Sequence, residues 1–121
     1  WAEGGWNPDE AVALSVLLKA AGVDLIDCSS GGLVPDARIP LAPGFQVVFA
    51  ERIRKEAGIL TSSVGLITEA TQAEEILASG AADLIMIARE SLREPYFPLK
   101  AATALHDEIT WPLQYARAKP I

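Results

Sequence analysis

Apolar residues recur along this chain in two alternating periods, one helical and one extended, with glycine and proline punctuating the changes between them. Asn7-Pro8-Asp9-Glu10 predicts a first helix. Asn7 is placed to cap it, Pro8 takes the first helical position, and Glu10 stands three residues on to complete a capping box. Leu14, Leu17, Leu18 and Ala21 form the expected apolar stripe of this helix, and Gly22 stops it. Val23 to Cys28 reads as a short strand broken by Ser29-Ser30-Gly31-Gly32, after which Pro35, Pro40 and Pro43 punctuate a loop. On a second helix Phe45, Phe49, Ile53 and Ala57 recur every fourth residue, Glu51 and Lys55 are spaced for an ion pair, and Gly58 closes the element. Ile59 to Val64 forms the next strand, ended by Gly65. Thr68 and Thr71 are candidate caps of a third helix with Ala73, Ile76 and Leu77 inward and Gly80 as terminator. The run from Ala82 to Glu90 reads as a third, buried strand. Pro95 and Pro98 open a last helix carrying Phe97, Ala101 and Leu105, and the segment from Thr110 to Ile121 shows no clear period.

A weak internal repeat organises these elements. Gly22-Val23-Asp24-Leu25-Ile26 and Gly80-Ala81-Ala82-Asp83-Leu84-Ile85 both run from a helix-ending glycine into an aspartate-led apolar strand. Their separation accommodates two βαβ periods of about 30 residues each. Strands with little alternation imply burial on both faces, hence a parallel sheet covered by helices. Three strands do not complete such a domain. A closed eight-stranded barrel takes about 250 residues and holds its ligands at the C-terminal strand ends, whereas a small open sheet binds at a topological switch point. Periodicity alone leaves both open.

Composition narrows the function classes. The chain has 121 residues, half of them hydrophobic, so it can bury one core of ordinary size. A net charge of −6 and a pI near 4.7 argue against binding to nucleic-acid backbones, so any phosphate held here is expected to be a single, locally bound group. Cys28 stands alone and cannot form an internal disulfide, and no signal-type segment or apolar run long enough for a membrane span is visible. A reducing cytoplasm is the default expectation. The chain begins at Trp1, not at a methionine, as expected of a processed, engineered or incomplete piece.

The best clue to chemistry is the end of the third strand. The small Ala88 lets phosphate oxygens approach backbone N–H groups, and Arg89 supplies a planar, permanently charged fork. On its own, such an arginine is more often ion-paired at the surface. Cys28 reads as a small core residue because no metal-ligand cluster accompanies it, and His106, before Asp107 and Glu108, reads as a solvated helix-end histidine. Asp24 and Asp83 begin strands, which suits capping or ion pairing; Asp27 is harder to assign. Trp1, Trp6 and Trp111 near the chain ends suit packing or contact with a partner.

Five segments in order resemble the old yellow enzyme family of flavin-dependent ene-reductases, most closely its thermophilic-like bacterial branch. They are Val23-Asp24-Leu25-Ile26-Asp27-Cys28-Ser29-Ser30-Gly31, Pro43-Gly44-Phe45-Gln46-Val47, Val64-Gly65-Leu66-Ile67-Thr68, Ala82-Asp83-Leu84-Ile85-Met86-Ile87-Ala88-Arg89 and Gln114-Tyr115-Ala116-Arg117. The resemblance implies an α/β fold, the (β/α)8 TIM barrel, of which residues 1–121 are the C-terminal half with the sixth to eighth strands. It implies FMN as cofactor with NADPH or NADH as hydride donor. The phosphate of FMN is expected against Val64 and Gly65 after the seventh strand and Ala88 and Arg89 after the eighth, with Ser30 close to the flavin. Where the family commonly has glycine, this chain has Ala88, which is tolerated if its φ stays negative. Arg117 resembles an arginine that reaches the neighbouring subunit's site, although Ala118-Lys119-Pro120 replaces the usual glycine and aromatic.

The same resemblance puts the groups that hold an enone carbonyl and deliver the proton in the N-terminal half, so no catalytic residue maps onto this chain. The expected partners are that N-terminal half, on the same or a separate chain, further copies of the protein, and a small α,β-unsaturated carbonyl substrate; neither nucleic acid nor membrane is expected. Two other readings stay open: a half-barrel that binds FMN or another phosphate without catalysis, and a structural domain that has lost the site.

Overall fold

The computed structural model describes residues 1–120. Helix α1 (Pro8–Ala20) opens with the expected capping box: Glu10 N–H donates to Asn7 Oδ1 and Asn7 N–H donates to Glu10 Oε2, each at 3.1 Å. Such a cap contributes about 1 kcal/mol. The stripe on α1 differs from expectation. Ser15 is buried and Ala11 and Val12 pack on the core, while Leu14 and Leu17 are exposed. Small side chains on that face fit the contact with the second helix, and the Ser15 hydroxyl is satisfied by donating to Ala11 O at 2.7 Å.

Strand β1 (Leu25–Cys28), helix α2 (Val47–Ala57), strand β2 (Leu60–Ser63), helix α3 (Ala70–Ala78) and strand β3 (Leu84–Ile85) follow in alternation. The strands form one parallel sheet in the order β1-β2-β3, with Asp27 opposite Ser62 and Ser62 opposite Leu84. The expected α/β architecture is present as a three-stranded portion. The helix-ending repeat is also real: Gly22 and Gly80 both take positive φ, and Val23 N–H to Leu18 O and Ala81 N–H to Ile76 O close the same C-terminal turn.

Because side chains alternate across a strand, the sheet has two unlike faces. Ile26 and Cys28 point into a core with Ala50, Ile53, Ala57, Ile59 and Ala82. On the other face Leu60, Leu84 and Met86 are about half exposed. The expectation of burial on both faces is therefore corrected: within this chain the helices cover one face only.

The third strand is far shorter than the apolar run suggested. A helix α4 (Arg89–Arg93) starts at Arg89, and α5 (Phe97–Ala104) follows, with Pro98 in its first turn. Neither threonine caps α3, whose N-cap residue is Glu69; the Thr68 N–H instead donates to Gln72 Oε1 at 3.1 Å. The aperiodic end carries a 3₁₀ helix over Leu113–Ala118, held to the α4–α5 junction by an edge-on Tyr96–Tyr115 contact with centroids 5.2 Å apart.

Candidate anion site at the strand ends

The residues after β2 and those after β3 line one cleft of about 110 Å³. Val64, Gly65, Leu66, Ile67 and Thr68 come from one side, and Met86, Ala88, Arg89, Glu90 and Arg93 from the other. Parallel pairing forces this meeting, since Met86 N–H donates to Ser63 O at 2.8 Å and both chains leave the sheet at the same level. Four of the six expected site residues, Val64, Gly65, Ala88 and Arg89, are thus brought together.

The cleft offers donors without acceptors. The N–H groups of Gly65, Leu66 and Ala88 find no acceptor among the described residues. Gly65 has φ +118° and Leu66 φ +51°, so the loop turns sharply just where these two N–H groups stand without acceptors. A side chain at Gly65 is excluded twice over: its φ disfavours one, and a Cβ would lie 2.8 Å from Gln46 Nε2 and 2.9 Å from Phe45 Cε1. Ala88 has φ −106°, so its methyl group is accommodated as expected.

Charge follows the same pattern. Arg93 is neutralised by Glu90 through bonds of 2.9 and 2.6 Å. Arg89 makes no ion pair among the described residues, so it contributes an uncompensated positive charge to the lining. Helix α4 is five residues long, too short for its dipole to matter much, so the Arg89 guanidinium and the β2 loop amides are the groups here with the chemistry to hold an anion. A phosphate monoester fits this donor set: its oxygens accept from N–H groups and from a planar fork, and they need no side-chain hydroxyl.

Ser30 lies outside the cleft lining but is tied to it. Its N–H and hydroxyl donate to Gln46 Oε1 at 2.5 and 2.7 Å, while Gln46 Nε2 donates to Val64 O at 3.1 Å. The Trp1 indole donates to Ser30 Oγ at 2.7 Å and packs on Phe45 and Phe49. Arg117 sits exposed on the 3₁₀ helix and is not among the residues that line the cleft. Gln46 and Gln72 are residues whose roles sequence reasoning missed. The signal for Gln46 was present, a polar residue inside an otherwise apolar segment that turns out to be buried.

The remaining candidates resolve into structural roles. Asp83 accepts from Arg54 Nε and from Thr61 N–H, each at 3.0 Å, and the Arg54 bond, followed by the Thr61 bond, holds its carboxyl below the usual carboxylate range. Asp27 accepts from Ser62 Oγ at 2.6 Å on the open sheet face. Burial, followed by the nearby Asp27 charge, pushes the Cys28 thiol up to about 11, which makes it an inert core residue at neutral pH. His106 is exposed, with φ +57° at the end of α5. No cluster of metal-ligating side chains occurs among the described residues, and no helix is long and apolar enough to cross a membrane.

A βα-repeat sheet with a cleft at the C-terminal ends of adjacent parallel strands places the chain among the α/β proteins that carry their ligand sites at that end of the sheet. Residues 3–108 match the NADH:flavin oxidoreductase / NADH oxidase family, and the chain belongs to that family. It is 54% identical over 118 residues to an NADPH dehydrogenase of Halalkalibacterium halodurans, covering 98% of this chain and 35% of that protein. It is 56% identical over 114 residues to one of Bacillus pumilus, covering 94% and 33%. With one of Geobacillus thermodenitrificans the identity is 57% over 100 residues, covering 83% and 29%. The chain therefore spans about a third of the length of these relatives. The expected FMN and NAD(P)H agree with a family described by NADH and flavin and with relatives named for NADPH.

Proposed function

We propose that this chain supplies the phosphate-gripping end of an FMN-dependent NAD(P)H oxidoreductase that reduces activated C=C bonds. Its three strands are the sixth, seventh and eighth of a (β/α)8 barrel. The observation that carries this reading is the single cleft where Val64, Gly65, Ala88 and Arg89 meet, with open amides on one wall and a free guanidinium on the other. Gly65 and Leu66 N–H would donate to the phosphate oxygens, Arg89 would neutralise their charge, and Ala88 would let them approach the backbone. Ser30, braced by Gln46, faces the neighbouring strand end and would contact the flavin beyond the phosphate. When bound, FMN would supply hydride-transfer chemistry between NAD(P)H and an alkene conjugated to a carbonyl.

The rest of the protein has a defined place in this proposal. The open sheet face with Leu60, Leu84 and Met86, and the exposed Leu14 and Leu17 of α1, are surfaces that an N-terminal half would cover. Arg117, exposed near the C-terminus, is free to enter a neighbouring subunit's site in a homo-oligomer. The test is the visible absorption spectrum of the purified chain after mixing with FMN and desalting. Retained flavin absorbance supports the grip, and NADPH-driven reduction of an enone by the complete protein supports the activity. A colourless chain and a complete protein that binds no flavin would refute both. The cleft lies wholly within this chain, which favours a second reading, FMN binding without catalysis. Retained colour with no enone reduction by the complete protein is its signature.

A further inference from the structure

We infer that Gln46 and Gln72 are positioning residues that preset the β2 loop for an anion by pinning its carbonyl oxygens; this rests on the phosphate reading above. Three successive carbonyls of the loop are held from the protein side. Val64 O accepts from Gln46 Nε2 at 3.1 Å, Gly65 O from Gly44 N–H at 2.9 Å, and Leu66 O from Gln72 Nε2 at 3.2 Å. Each carbonyl shares a planar trans peptide with the next N–H, and the two point in opposite directions. Fixing Val64 O, Gly65 O and Leu66 O toward the body of the protein therefore turns the N–H groups of Gly65, Leu66 and Ile67 the other way. Those three N–H groups have no acceptor among the described residues.

The two amides are themselves fixed. Only the oxygen of Gln46 can accept from Ser30 N–H and only its nitrogen can donate to Val64 O, so its orientation follows from its partners. Gln46 is 4% exposed, and Gln72 is locked likewise between Thr68 N–H and Leu66 O. Positive φ at Leu66 is a strained arrangement that persists where surrounding bonds over-determine it, and these pins are such bonds. The loop thus reaches anion-binding geometry before any ligand arrives, and no ordering cost falls on binding.

The variants Gln46→Met and Gln72→Met keep size and neutrality but remove the donor. The readout, in the protein that carries this chain, is the ratio of FMN to riboflavin affinity by flavin fluorescence titration, because riboflavin lacks the phosphate. Each variant is expected to lower that ratio about tenfold, with riboflavin affinity unchanged in Gln72→Met, whose amide bonds only the β2 loop. A ratio equal to the parent's, or equal weakening of both flavins, would overturn the positioning role. If Gln46→Met does not fold, Gln72→Met, whose side chain is only partly buried, carries the same prediction. Arg89→Ala separates the two levels. A ratio unmoved by Arg89→Ala sinks the phosphate reading, whereas a ratio lowered by Arg89→Ala and unmoved by both glutamine variants sinks only the pins.

Discussion

The two ends of the sheet are built to opposite rules. At the N-terminal strand ends the charged side chains that latch helices to strands are paired: Arg54 bonds Asp83 and Gly80 O, Asp83 also takes Thr61 N–H, and Lys19 donates to Gly58 O at 2.6 Å beyond the end of α2. At the C-terminal ends Arg89 lacks a counter-ion among the described residues, backbone N–H groups lack acceptors, and Leu66 sits at positive φ. The contrast separates stability from function. Polar groups at the closed end latch helices to strands, while those at the open end are held ready for something else.

Substitution at the open end should therefore cost ligand affinity and substitution at the closed end should cost stability. The largest effect is expected from Gly65→Val. Strain at φ +118° and the clash with Gln46 and Phe45 should lower stability by about 2–4 kcal/mol and leave no FMN after desalting. Denaturant unfolding and the flavin spectrum check both halves; a stable, yellow variant would break the comparison. Arg89→Ala comes next, weakening FMN by roughly 1.5–3 kcal/mol with no change in unfolding midpoint, since the side chain is exposed and unpaired.

Asp83→Ala is expected to do the reverse. It leaves Thr61 N–H without its acceptor and should destabilise by about 1–2 kcal/mol with the FMN to riboflavin ratio unchanged. The same group sets an acid dependence. Its folded pKa is depressed, mainly by Arg54, so its stabilisation is present above the ordinary carboxylate pKa and is lost as pH falls through the lower folded value. Denaturation curves below pH ~4 should fall less steeply with acid in Asp83→Ala than in the parent. The smallest effect concerns Cys28. With its pKa near 11 the thiol should resist alkylation at neutral pH until the protein unfolds, as thiol titration in native and denaturing buffer will show.

Much of this contrast was legible in the chain itself. Asn7, Pro8 and Glu10 predict the start of α1 because capping is local, and Gly22, Gly58 and Gly80 predict helix ends because positive φ is local too. The meeting of Gly65 with Ala88 and Arg89 was an expectation of the family resemblance, and the parallel pairing of β2 with β3 brings it about. Other features depended on partners distant in sequence. The inward face of α1 was misread because the small residues Ala11 and Ser15, not the leucines, meet the core. Burial on both sheet faces failed because hydrophobic pattern reports what a surface needs, not whether this chain covers it. Helix α4 was hidden inside an apolar run that changes conformation at Ala88. Gln46 stood out only as a polar residue in an apolar segment; the partners of Gln46 and Gln72 could not be read, because a glutamine carries no spacing signal for carbonyls 18 and 6 residues away.

The most direct measurement is the FMN affinity of Arg89→Ala set beside its riboflavin affinity, each relative to the parent protein. A loss confined to FMN, about tenfold or more, is the outcome this account predicts. Equal affinity of parent and variant for FMN would contradict it, because the guanidinium that lines the cleft without a counter-ion among the described residues would then hold no phosphate.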